Sequence, residues 1–101
     1  MGMDATEDRY TEYEKRVIGA LRTVREVSGV DQVPLSLAAG MGRNQVNRYE
    51  RLKVHATLGN LERVLAAIGE IAPRRTNVST VYDLLALAEG KVKLTVEERS
   101  E

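Results

Sequence analysis

Cysteine, tryptophan and phenylalanine are absent from this 101-residue chain, histidine occurs once, and four tyrosines supply all of its aromatic content. Without thiols there is no disulfide framework, no thiolate nucleophile and no cysteine-based zinc site. A lone His55 leaves a metal centre or a proton relay short of partners. The acids at one end, Asp4, Glu7, Asp8, Glu12 and Glu14, are too scattered for paired-carboxylate catalysis, so neither an enzyme nor a cofactor is expected. No apolar run of about 18 residues is present. The opening stretch MGMDATEDRYTEYE is acidic where an export signal would be basic and then apolar. The expectation is a cytoplasmic protein that does not enter a membrane.

What is present reads as a single domain over residues 1–101. Hydrophobic residues make up 43% and charged residues 30%, a balance that lets a chain of this size bury a core unaided. Lysine plus arginine equals aspartate plus glutamate, yet the charges are unevenly spread. Residues 1–14 carry a net charge of −4, residues 15–76 of +6 and residues 77–101 of −2. A basic middle between acidic ends is a footprint for a polyanion, and the flanks oppose indiscriminate binding. The sharpest concentration is GMGRNQVNRYERLK, residues 40–53, with four cations and one anion.

Apolar spacing predicts five helices. From near Asp8, the residues Tyr10, Tyr13, Val17, Ala20, Leu21, Val24 and Val27 recur at helical steps as far as Gly29, marking a long first helix. Asp31 caps a short second helix with Pro34 in its first turn, and Gly40 ends it. The third runs from about Arg43 to Leu52, starting at Gly42, with Val46 and Tyr49 facing inward. Thr57 caps the fourth, whose stripe Leu58, Leu61, Val64, Leu65 and Ile68 closes at Gly69. APRRTN is then a loop, and Val78 to Ala88 a fifth helix. Beyond Gly90, Val92, Leu94 and Val96 alternate with Lys91, Lys93, Thr95 and Glu97, which predicts a half-buried strand.

On a helix over residues 43–52, Asn44, Asn47, Arg48 and Arg51 share a polar face away from Val46 and Tyr49. Arg offers a bidentate fork to guanine, Asn pairs with adenine, and both reach phosphate oxygens. Two short helices joined by GMGR, the second with such a face, form the helix-turn-helix arrangement, whose second helix enters the major groove. A solvated surface is the plainer alternative for a charge-rich face. Frame and face agree independently, which favours DNA. Glu50 falls one turn after Val46, points inward and needs a cation. Neither GMG, which lacks a preceding strand and a lysine-serine ending, nor the acceptor pattern at Asn77 adds a further site. Arg74 and Arg75 could reach DNA, although paired arginines in a loop are commonly just solvated.

The stretch LRTVREVSGVDQVPLSLAAGMGRNQVNRYE resembles the phage-repressor-like helix-turn-helix family, the lambda-repressor-like proteins that include Cro and the xenobiotic-response-element regulators. Leu21, Arg22, Arg25, Gln32, Leu35, Gly40, Val46 and Glu50 stand at matching places. TLGNLERVLAAIG is similar to the family's fourth helix, so the likeness covers residues 16–69 and leaves 70–101 outside. It implies a mostly α, five-helix fold with an extended first helix, to which the flanks add a short C-terminal β-strand. It also implies that Arg25 is the partner of Glu50, a structural ion pair orienting helix three. From the residue types of the face, Arg43, Asn44 and Arg48 are expected at base edges, with Gln45 and Asn47 next and Arg51 and Lys53 at phosphates or solvent; by the resemblance Gln32 contacts a phosphate. Three positions depart from the pattern. Leu52 stands where glycine is frequent, so helix three is expected to run longer or leave by a different turn, which bears on phosphate contacts by Lys53 and His55. Ser36 replaces alanine and needs a partner for its hydroxyl. Gly42 replaces the usual cap.

The function these features imply is sequence-specific regulation of transcription, as a repressor, on double-stranded DNA. One short reading helix covers few bases, so a homodimer on half-sites about 34 Å apart is expected. The edge Lys91–Val96 would pair between copies, or else fold back on helix one beside Tyr10, Tyr13 and Val17 in a monomer. Two other readings use the same scaffold: an antitoxin-like or adaptor protein acting through a protein partner, and a recombination or excision factor that bends DNA.

Overall fold

The computed structural model describes residues 9–99 as five helices and a two-stranded sheet. Helix α1 (Glu12–Ser28) starts at Thr11, whose hydroxyl accepts from Glu14 N at 3.0 Å while the Glu14 carboxylate accepts from Thr11 N at 2.9 Å. This reciprocal cap satisfies donors that a helix start leaves unpaired, and it sets the start later than apolar spacing alone predicts. Asp8 lies outside the described residues. Helix α2 (Gln32–Ala38) follows Asp31. Helix α3 (Gln45–Glu50) is shorter than expected, and its N-cap is Asn44 rather than Gly42. Helix α4 (Leu58–Ile71) is capped by Thr57 and passes through Gly69, which does not end it. Helix α5 (Val81–Ala88) begins later than Val78 because Thr80 and Asp83 form a second reciprocal cap.

The segment APRRTN is not a plain loop. Within it β1 (Arg74–Thr76) pairs antiparallel with β2 (Val96–Glu98), Arg74 opposite Glu98 and Thr76 opposite Val96. The strand expected over Lys91–Val96 is thereby corrected, because residues 91–95 are not strand and the pairing is made within the chain. Of the alternating residues Leu94 is half-buried against the core, whereas Val92 and Val96 are 41% and 46% exposed, so the alternation does not mark one continuous buried face. Asn77 holds the segment instead, donating from Nδ2 to Lys93 O and accepting at Oδ1 from Thr95 N, both at 2.9 Å. Arg74 anchors β1 to the end of α1 by donating to Val27 O at 2.9 Å.

Leu21 and Val24 of α1, Leu35 of α2, Val46 of α3, Val64 and Leu65 of α4 and Leu84 of α5 form the centre of the core. α2 packs on α3 and α4, while α1 packs on α5, β1 and α3. The inward edge of α3 is Val46 and Tyr49, as the spacing predicts. Among the described residues no helix is long and apolar enough to cross a membrane.

Candidate nucleic-acid interface

Tight left-handed turns deliver and release α3. At the end of α2, Gly40 takes φ +77°, Gly40 N donates to Leu37 O at 3.0 Å and Met41 N to Ser36 O at 2.9 Å. The same double bond closes α3, where Leu52 takes φ +56°, Leu52 N donates to Tyr49 O at 3.0 Å and Lys53 N to Arg48 O at 2.9 Å. Leu52 therefore occupies the conformation glycine would take, and the expected longer helix or different exit is overturned. A side chain there costs about 1–2 kcal/mol of backbone strain.

The start of α3 has no side-chain cap from Asn44. Its missing acceptor comes from the preceding helix. Ser36, fully buried, accepts from Val46 N at 3.0 Å and donates to Gln32 O at 2.9 Å. The hydroxyl has found its partners, and one of them is a backbone donor that the helix itself cannot satisfy. Sequence reasoning weighed Ser36 only as a substitution for alanine and missed this role.

The far end of α3 is tied to α1. Arg25 grips Glu50 with two bonds, Nε to Oε2 at 2.6 Å and Nη2 to Oε1 at 3.0 Å, and also donates to Val30 O at 2.9 Å. The Glu50 side chain is only 2% exposed, so its charge depends on this partner. Gln32 joins the pair, donating from Nε2 to Glu50 Oε1 at 2.8 Å, and its Oε1 accepts from Asn47 Nδ2 at 3.1 Å. The side-chain amide of Gln32, expected at a phosphate, joins this network through Oε1 and one hydrogen of Nε2.

Arg43, Asn44, Arg48, Arg51 and Lys53 are exposed, and Gln45 and Asn47 are half-buried. Among the described residues the side chains of Arg43, Asn44, Arg48 and Arg51 make no hydrogen bond or ion pair. Elsewhere Lys15 pairs with Glu12, Arg22 with Glu26, Arg74 with Glu98 and Lys91 with Glu89, while Arg16, Arg63, Arg75 and Lys93, spread over α1, α4 and the sheet region, make no ion pair among the described residues. The charges of Arg43, Arg48 and Arg51 lie close together in sequence without a counter-ion of their own, which raises the local positive potential. Arg63 of α4 adds to it, with its Nη2 4.0 Å from where a Cβ on Gly40 would lie. Nothing in the pattern of α3 itself could have pointed to Arg63, because the approach is tertiary.

His55 turns away from this group of residues. Its ring stacks on Tyr10 with centroids 4.2 Å apart, and Nδ1 lies 3.1 Å from Glu14 Oε2. The backbone donor of Thr11, first, and the His55 side chain hold the Glu14 carboxyl below its ordinary range. Among the described residues no three His, Asp or Glu side chains gather as metal ligands. A cleft of about 230 Å³ lies beside His55, lined by Tyr10, Tyr13, Val17, Ile18, Leu58, Leu61 and Leu85 among others. Comparison of the chain with family models, with curated proteins and with solved structures gives no match.

Proposed function

We propose that this chain is a sequence-specific double-stranded DNA-binding regulator of the helix-turn-helix, phage-repressor-like type, acting as a repressor with α3 in the major groove. The carrying observation is the division of α3. Val46, Tyr49 and Glu50 fasten it to the protein, whereas Arg43, Asn44, Arg48 and Arg51 face solvent with their hydrogen-bonding groups unspent. Free guanidinium forks and an amide on a helix of fixed orientation suit base edges and phosphates. The length of α2 and α3 and the tight turn between them agree with this docking.

Two copies on a two-fold site extend the reading. The contact belongs on α5 rather than on Lys91–Val96, of which only Val96 is strand. In α5, VYDLLALA, Leu84 is fully buried and Val81, Leu85, Leu87 and Ala88 are half-buried against the core, which leaves Tyr82, 81% exposed, as the large apolar side chain the helix offers to a partner. The same surface favours a protein partner in the antitoxin-like reading.

Selection from randomised duplexes at physiological salt, where the Debye length is about 8 Å, tests the proposal. An enriched motif supports sequence reading, and its symmetry counts half-sites. Arg48→Ala should then relax one base position by about 1–3 kcal/mol. Retention without enrichment that vanishes as salt rises would reduce the arginines to phosphate contacts and reject the proposal.

A further inference from the structure

We propose that Gln32 is a positioning residue that fixes the amide of Asn47, so that Asn47 turns its carbonyl oxygen to the DNA and reads a base-edge amino group, that of adenine or cytosine. The inference rests on the DNA-reading function and names which contact one residue of that surface makes.

The direction follows from donors and acceptors. Glu50, ionised against Arg25, can only accept, so the end of Gln32 that meets it at 2.8 Å must be Nε2. Gln32 Oε1 is then the other end. An acceptor there requires a donor from Asn47, and Nδ2 meets it at 3.1 Å. Oδ1 of Asn47 is left as the group without a partner inside the protein, among the described residues.

Reversing that amide would set two acceptors against each other and break the chain that ends in the buried carboxylate. Asn47 lies one residue before Arg48 and one turn before Arg51, and it is half-buried, so its inner amine serves the network while its outer oxygen remains available. In the major groove an outward acceptor matches the N6 amine of adenine or the N4 amine of cytosine. It is opposed by N7 and O6 of guanine and by O4 of thymine. The interior pair Arg25 and Glu50 thus sets a preference at the surface through two amides.

The parent chain, Gln32→Met and Asn47→Ala are compared by selection from randomised duplexes, after thermal melting confirms that each is folded. Methionine keeps the length of glutamine and removes its amide while leaving Arg25 on Glu50. One position of the parent motif should prefer adenine or cytosine on one strand by roughly tenfold. Asn47→Ala should abolish that preference, and Gln32→Met should reduce it below about twofold with the other positions unchanged. A Gln32→Met motif identical to the parent's, or binding weakened equally on every sequence as for a phosphate contact, overturns the inference while the proposed function stands. A parent that enriches no motif overturns both. The amide chain is checked separately by NMR of the free protein: Gln32→Met should shift and collapse the separated side-chain amide signals of Asn47, and unchanged signals would refute the relay whatever the motif.

Discussion

Replacing Ser36 by alanine removes one oxygen with two partners, and the consequences of the two losses differ. Gln32 O keeps its place in the α2 hydrogen-bond ladder, so losing the hydroxyl donor costs little. Val46 N–H does not: it belongs to the first turn of α3, the residue is wholly buried, and Asn44 supplies no cap. A buried donor left unpaired costs about 1–3 kcal/mol. Alanine's better helix propensity returns at most about 0.5 kcal/mol. A net loss of about 1–2 kcal/mol follows, which for a domain near 100 residues lowers Tm by roughly 5–15 °C. The assay is thermal unfolding by far-UV circular dichroism, with urea unfolding alongside to show that the midpoint falls while the slope m is unchanged. A Ser36→Ala protein that melts at or above the parent's Tm would refute the reasoning, because the Val46 donor would then have another acceptor.

Arg25→Ala leaves the buried Glu50 carboxylate with the Gln32 amide and only the distant Arg22, its Nε 4.0 Å from Oε1, and should cost about 3–5 kcal/mol and abolish DNA binding with it; a parent-like melt would remove the pair's orienting role. Because Leu52 sits at φ +56°, Leu52→Gly should be more stable than Leu52→Ala by about 1 kcal/mol in urea unfolding, the reverse of the usual order inside helices. The carboxyls of Glu14 and Asp83 titrate below their ordinary values, chiefly through backbone donors at the two helix caps, and Glu89 does so chiefly through the Tyr13 hydroxyl. A folded-state value below the unfolded one gives stability that is present above the unfolded value and lost as pH falls through the folded one. Tm should therefore drop as pH falls from about 5, and less steeply in a Glu14→Gln, Asp83→Asn double variant. Equal acid limbs in the two proteins would contradict that assignment.

Legibility in the sequence followed the range of the forces involved. Core positions repeat at the helical period, so Leu21, Val24, Val46, Val64 and Leu65 could be placed inside from spacing alone. Helix ends were less readable: the caps at Thr11 and Thr80 are short patterns that compete with apolar runs extending past them, and Gly69 resembled a stop although α4 continues through it. The sheet was least accessible. A ribbon of three-residue strands needs no periodicity, and β1 is held by Arg74 reaching Val27 O across 47 residues. At the interface, the ion pair came from resemblance joined to the inward position of Glu50. The amide chain through Gln32 and Asn47 was out of reach, because spacing reports which face a residue shares and not which atom it spends there.

The small size of α3 explains why so much of the surrounding structure is committed to it. Six residues are far below the roughly 12–15 that an isolated helix needs to be even marginally stable in water. Its orientation must therefore come from outside: Ser36 at its start, Arg25 on Glu50 at its end, the turns at Gly40 and Leu52, and Val46 and Tyr49 beneath. These contacts lie on one side of the helix, and the unpaired arginines lie on the other, so the two sets should separate under mutation. Variants of the supporting contacts should lose Tm and DNA binding together. Variants of Arg43, Asn44 or Arg48 should lose binding at an unchanged Tm, since no intramolecular bond of theirs is broken. A face variant that melted several degrees lower would mean that its side chain also helps to hold α3, and the division between support and reading would have to be redrawn at that residue.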